Sequence, residues 1–119
     1  MRLEFNETGM GTHCILNLHE CDIVRLQNLL LFEKFAANTL ARNGAIVKGH
    51  VQHGFGFPGY GFTSLYLLST SHYSVHTWPE TLSAAVDVFT CGDVDTAGIC
   101  SDTIEYFGAA RHSLVSVLR

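Results

Sequence analysis

A chain of 119 residues is the size of one domain, and a hydrophobic content of 47% is enough to fill a core and too much for a disordered chain. Its formal net charge of -4 excludes the basic footprint that nucleic-acid phosphates require, so small molecules are the expected partners. The longest apolar runs, such as Leu29 to Phe32, are far too short to span a bilayer, and no segment near the start has the order of a secretion signal, so a cytosolic protein is expected.

In chain order, Thr12 to Leu18 alternates as a strand, and Asp22 is placed to cap a helix. One long helix is expected from Ile23 to about Asn43. Leu26, Leu29, Leu30, Ala36, Ala37 and Leu40 share one face, Glu33 lies at its margin, and Asn43-Gly44 is the stop signal. Ala45 to about His53 reads as a second strand. The next eight residues, Gly54 to Gly61, hold four glycines and three aromatics, a loop that lets backbone approach something flat. Phe62 to Leu68, Tyr73 to Trp78 and Ala84 to Thr90 are three further strands, followed by a helix near Asp95 to Gly108 and a last strand near Ser113 to Leu118.

This order predicts a single domain of the α+β class: a two-layer sandwich with a largely antiparallel sheet and two helices packed on one face. The other sheet face then needs cover, which a homodimer or higher homo-oligomer supplies. Cys14, Cys21, Cys91 and Cys100 are unevenly spaced, which argues against a disulfide framework. No C-x-x-C is present, and His72 and His76 lie about 13 Å apart along a strand, so no metal site is expected.

The chemistry concentrates in Ser69 to Glu80, STSHYSVHTWPE, and in Cys91. A serine on a tight turn such as Ser71 can attack the preceding carbonyl and convert the peptide bond to an ester. Elimination of that ester leaves dehydroalanine, which hydrolyses to a pyruvoyl group. A pyruvoyl carbonyl forms a Schiff base with a substrate amine and accepts electrons as carboxylate leaves, the role that pyridoxal phosphate plays elsewhere. A proton must then reach the substrate carbon, and His76 and Cys91 are the available donors.

The blocks Ser69-Thr70-Ser71-His72, His76-Thr77-Trp78-Pro79-Glu80 and Asp87-Val88-Phe89-Thr90-Cys91-Gly92 resemble those of the small prokaryotic S-adenosylmethionine decarboxylase proenzymes. The likeness extends to His19-Glu20-Cys21-Asp22 and Asn43-Gly44-Ala45, and so covers most of the chain from about Gly11. It implies self-cleavage between Thr70 and Ser71, giving an N-terminal β chain (1–70) and a C-terminal α chain (71–119) that begins with the pyruvoyl group made from Ser71. It further implies that His76 is the base of the elimination, Cys91 the proton donor, Thr63 an aid to processing, Phe57 the aromatic that stacks on adenine and Glu80 the carboxylate that binds ribose hydroxyls. Neither a metal nor pyridoxal phosphate is implied.

Two departures stand out. Thr70 occupies the place of the family's usual glutamate, and Thr81-Leu82-Ser83 replaces a tyrosine-glycine-tyrosine run after Pro79-Glu80. The implied reaction is decarboxylation of S-adenosylmethionine for polyamine (spermidine) biosynthesis. The same machinery acting on L-ornithine or L-arginine is the alternative, and an uncleaved, inactive binding homologue is a third reading.

Overall fold

Among the residues that the computed structural model describes, 9–56 and 60–119, six strands and three helices follow one another. They are β1 (Thr12–His19), α1 (Ile23–Gln27), α2 (Leu29–Arg42), β2 (Val47–Gly54), β3 (Phe62–Leu68), β4 (His72–Trp78), β5 (Ser83–Thr90), α3 (Thr96–Phe107) and β6 (Arg111–Leu118). The strands form one sheet in the order β2-β3-β4-β5-β1-β6, and every neighbouring pair is antiparallel. Strands β2 to β5 form a meander, after which α3 carries the chain across one face so that β6 pairs with the free side of β1.

All three helices cover the same face, which gives the two-layer α+β sandwich expected from the sequence. Alternation decides which side chains they cover. Phe62, Ser64, Tyr66 and Leu68 of β3, Tyr73, Val75 and Thr77 of β4, and Ala84, Val86 and Val88 of β5 all point toward the helices and are buried. Phe32 of α2 is fully buried at the centre, with ring centroids 5.2 Å from Phe62, 5.8 Å from Phe107 and 6.3 Å from Tyr73. Thr77 ties β4 to α1 by donating its hydroxyl to the Leu26 carbonyl at 2.8 Å.

The single helix expected from Ile23 to Asn43 is two helices. Asn28 ends α1 and caps α2, its side-chain oxygen accepting the Leu31 N–H at 3.0 Å. A short amide side chain competes with the helical backbone for hydrogen bonds, and here the competition breaks the helix. The break rotates α2, so that Phe32, Ala36, Thr39 and Leu40 face the sheet while Leu30 and Ala37 face outward. Glu33 lies at the margin as expected, its carboxylate 4.0 Å from Nδ1 of His50. His50 in turn stacks on Tyr66 and shares a hydrogen bond with Ser64 at 3.2 Å.

The second face carries no helix among the described residues. Val51, Leu65, Leu67, Trp78, Val115 and Val117 lie exposed on it, Val51 at 64% and Leu67 at 59%. That is an unusually apolar surface to leave in water. No helix of the described residues is long and apolar enough to cross a membrane.

Candidate active site

At one end of the sheet, β3 and β4 are joined by Ser69, Thr70 and Ser71. The Leu68 N–H donates to the Ser71 carbonyl at 2.9 Å, and the Ser69 N–H is held by the Ile46 carbonyl at 3.1 Å. Ser71 therefore leads into β4 directly from a tight hairpin turn. Pairing of β4 with β5 sets His72 opposite Phe89, and the chain leaving β5 then brings Cys91 beside the turn. The Cys91 thiol lies 3.8 Å from the Thr70 carbonyl oxygen, within reach of a weak S–H hydrogen bond to the acyl group of the Thr70–Ser71 peptide bond. Gly11 makes room for this approach. A Cβ at that position would sit 2.3 Å from the Thr90 carbonyl oxygen and 3.1 Å from the Cys91 sulfur.

Thr63 and His76 meet on the open face of the adjacent strands β3 and β4, where Thr63 Oγ1 and His76 Nδ1 are hydrogen-bonded at 3.0 Å. The bond fixes the plane of the His76 ring and leaves Nε2 as the nitrogen turned away from Thr63. The Trp78 ring shares that face, 6.2 Å from the His76 ring.

Glu80 is at the far end of β4, in a 3-10 turn (Pro79–Thr81) that leads into β5. Its side chain borders a cleft of about 270 Å³ with Phe55, Tyr60, Gly61, Thr77 and Trp78, and a neighbouring one with Ile23, Gln27 and Pro79. Phe57 lies outside the described residues. Phe55 and Tyr60 were not singled out by sequence reasoning. Their signal was the aromatic-glycine loop itself, which gives no means of ranking its three aromatic rings. Leu82 closes the turn with φ 53, and the Thr81 and Ser83 hydroxyls contact each other at 2.5 Å beside it.

Among the described residues, the predicted ones fall into three places: Thr70, Ser71 and Cys91 at the start of β4, Thr63 and His76 on its open face, and Glu80 beyond its far end. Ser71 lies just before β4 and His76 five residues further along it, about 16 Å at the usual rise per residue. The whole of β4, about 20 Å by the same measure, separates Ser71 from Glu80.

The remaining thiols differ from Cys91. Cys14, Cys21 and Cys100 are buried, whereas Cys91 is partly exposed. Burial pushes the Cys21 thiol up to about 11 and that of Cys100 up to about 12, so neither ionises near neutral pH. His13 is engaged with Asp87, Nε2 to Oδ1 at 3.0 Å, and packs against the rings of His72 and Phe89.

The sequence profile of S-adenosylmethionine decarboxylase matches residues 12–119. The chain belongs to the S-adenosylmethionine decarboxylase family. It is 40% identical over 111 residues to a protein of Parasynechococcus marenigrum (strain WH8102) named S-adenosylmethionine decarboxylase proenzyme, covering 92% of this chain and 85% of that one. A protein of the same name from Caldicellulosiruptor saccharolyticus is 37% identical over 112 residues, covering 93% and 89%. The crystal structure of the adenosylmethionine decarboxylase from Aquifex aeolicus VF5 shares the fold, with a TM-score of 0.83 and 25% identity over 93% of this chain and 91% of that one. As a member of the S-adenosylmethionine decarboxylase family the chain is an enzyme of the carboxy-lyase class.

Proposed function

We propose that the protein is a self-processing, pyruvoyl-dependent decarboxylase of S-adenosylmethionine that serves polyamine synthesis. The observation that carries this reading is the Cys91 thiol 3.8 Å from the Thr70 carbonyl oxygen. A thiol able to hold a proton already faces the carbonyl next to Ser71, so the residues fit the group that Ser71 would become.

In processing, Ser71 Oγ attacks the Thr70 carbonyl carbon, and the C–N bond breaks as the ester C–O bond forms. His76 then removes the Ser71 α-proton, and the Ser71 Cβ–Oγ bond breaks, so that the oxygen leaves on the Thr70 carboxylate and residue 71 becomes dehydroalanine. Water replaces the nitrogen of the dehydroalanine as ammonia. Thr63 orients the His76 ring for this step through the 3.0 Å bond. Once formed, the pyruvoyl group supplies the carbonyl that accepts electrons when carboxylate leaves the substrate. Cys91 holds the proton that closes the substrate carbon. Glu80 binds the ribose hydroxyls, and the aromatics of the loop, Phe57 together with Phe55 and Tyr60, stack on the base.

Groups about 16 Å apart along one extended segment cannot act on the same atoms. The active unit is therefore a homodimer packed through the open sheet faces, in which Thr70, Ser71 and Cys91 of one copy meet Thr63, His76 and Glu80 of the other. The exposed Val51, Leu65, Leu67 and Val115 supply an apolar surface for that packing.

The test is co-expression of Ser71→Ala and His76→Ala chains. Each alone should remain uncut. Together they should yield mixed dimers with one intact site, in which only the His76→Ala chain is cleaved. A mixture that stays uncut while the wild type cleaves would mean that the site lies within one protomer. Substrate is settled by carbon dioxide release from S-adenosylmethionine, ornithine and arginine supplied separately. Release from S-adenosylmethionine is expected, and release only from a basic amino acid would reassign the substrate.

A further inference from the structure

Each decarboxylation consumes one proton. The bond to the carboxylate carbon breaks, its electron pair stays with the rest of the substrate, and the proton from Cys91 forms the new C–H bond. A thiolate is left, and it must recover a proton from water before the next turnover. In the proposed dimer the open face beside Cys91 packs against the other copy, which would shield that side of the thiol from bulk water. The structure has a second approach to Cys91. A cavity of about 320 Å³ borders it from the helix-covered side, lined by Gly11, Thr12, Thr90, Val94, Thr96 and Leu118, and it is ample for several waters.

The lining is polar where packing alone would not require it. Thr90 ends β5 and is only 2% exposed, and its hydroxyl is hydrogen-bonded to that of Thr96 in the first turn of α3. A valine at position 90 would fill the same shape without the cost of burying a hydroxyl. Hydroxyls both donate and accept, so a Thr–Thr pair can pass a proton on without itself carrying charge. Gly11, which no side chain could replace without striking Thr90 and Cys91, keeps the space beside the sulfur open.

We infer that this cavity is the route by which Cys91 regains its proton, with Thr90 and Thr96 as relay residues that position the water-borne proton for the thiolate. The inference rests on Cys91 being the proton donor of the proposed decarboxylase.

Thr96→Val and Thr90→Val should still cleave into the two fragments, which reports an intact fold. Their kcat should fall by about tenfold or more with KM little changed, as expected when proton transfer is slowed. Thr96→Ser, which keeps the hydroxyl, should restore it. The readout that packing alone would not move is the mass of the 71–119 fragment after many turnovers. While Cys91 is still a thiolate, the proton that ends the turnover comes from water and reaches the pyruvoyl-derived carbon instead of the substrate carbon. Hydrolysis then releases the substrate skeleton as an aldehyde and leaves alanine at position 71, so the alanine-terminated fraction should rise in both valine variants. Leu118→Trp, which fills the cavity from the exposed edge strand, should raise that fraction too and guards against a misfolded threonine variant. Wild-type kcat and an unchanged alanine-terminated fraction in processed Thr96→Val and Leu118→Trp would overturn the relay alone. A wild-type chain that neither cleaves nor releases carbon dioxide would overturn the decarboxylase reading and the relay with it.

Discussion

The two faces of β4 place different demands on neighbouring residues. Tyr73, Val75 and Thr77 point into the helix layer and are buried, whereas His72, Ser74, His76 and Trp78 alternate with them on the open face. The covered side is held by volume and aromatic contact, with Phe32 fixed among Phe62, Tyr73 and Phe107. The open side carries an imidazole held by a hydroxyl and an indole still nearly half exposed. Within β4, parity separates the residues that pack the core from the open-face pair of His76 and Trp78. Substitutions on the two faces should fail in different ways.

The largest contrast pairs Ser71→Ala with Phe32→Ala. Ser71→Ala should abolish cleavage altogether, leaving one band on a denaturing gel, while its unfolding free energy stays within about 0.5 kcal/mol of the parent chain, as for most changes outside the core. Phe32→Ala should do the reverse. Emptying a fully buried aromatic site costs about 3–5 kcal/mol, a large part of a typical total near 10 kcal/mol, and denaturant titration would register it directly. A Ser71→Ala chain as destabilised as Phe32→Ala would mean that the turn serine supports the fold as well as cleavage.

Legibility in the sequence follows the same division. Strands β1, β3, β4 and β5 were readable because a half-buried strand alternates, and alternation is visible in one dimension. The break at Asn28 was not, because Leu26, Leu29 and Leu30 continue the apolar pattern through it and only the bond to the Leu31 N–H reveals the cap. The candidate site residues were named through a resemblance to a family. Their distribution was not, since closeness in sequence conceals that residues 71 and 76 are held apart by an extended strand. Conversely, Cys91 and Thr70 are 21 residues apart and adjacent in space, a fact that belongs to the β4–β5 register rather than to any local pattern.

A smaller effect sharpens the comparison on the helix side. The Asp102 carboxylate clasps α3 to α2, accepting from Thr39 Oγ1 at 2.7 Å, from the Arg42 guanidinium at 2.5 Å and from the Asn43 amide at 3.2 Å. Burial alone would push its carboxyl up, but the bonds from Thr39, Arg42 and Asn43, with the charge of Arg42, outweigh burial and hold it below the ordinary value. A carboxyl depressed in the folded state adds stability that is complete above its unfolded value near 3.9 and is lost as pH falls through the folded one. Asp102→Asn should therefore cost about 1 kcal/mol at neutral pH, with the Arg42 contribution discounted because that side chain is largely in water. Thermal unfolding of the two chains should converge as pH falls through the depressed value of the folded carboxyl. A gap that persists in acid would mean that the clasp works by shape and not by charge.

The smallest effect lies at the turn between the two chemistries. Leu82 holds φ 53 and ψ 39, a left-handed conformation that costs a residue with a Cβ about 1–2 kcal/mol. The position is the one where the family pattern has glycine, and the need for that glycine is now physical. The Leu82 N–H is bound by the Pro79 carbonyl at 3.1 Å and its own carbonyl accepts from the Cys21 N–H at 3.0 Å, so the turn cannot relax without losing both bonds. Leu82→Gly removes the strain but frees the unfolded chain by about 0.5–1 kcal/mol and gives up the contacts of a side chain only 38% exposed, so a net gain of at most about 1 kcal/mol is expected. If the substitution stabilises the chain and leaves kcat/KM for S-adenosylmethionine unchanged, Leu82 is drift tolerated at a structural cost. A stabilised chain with a raised KM would instead mean that the leucine side chain shapes the cleft beside Glu80, and that its strain is retained for binding.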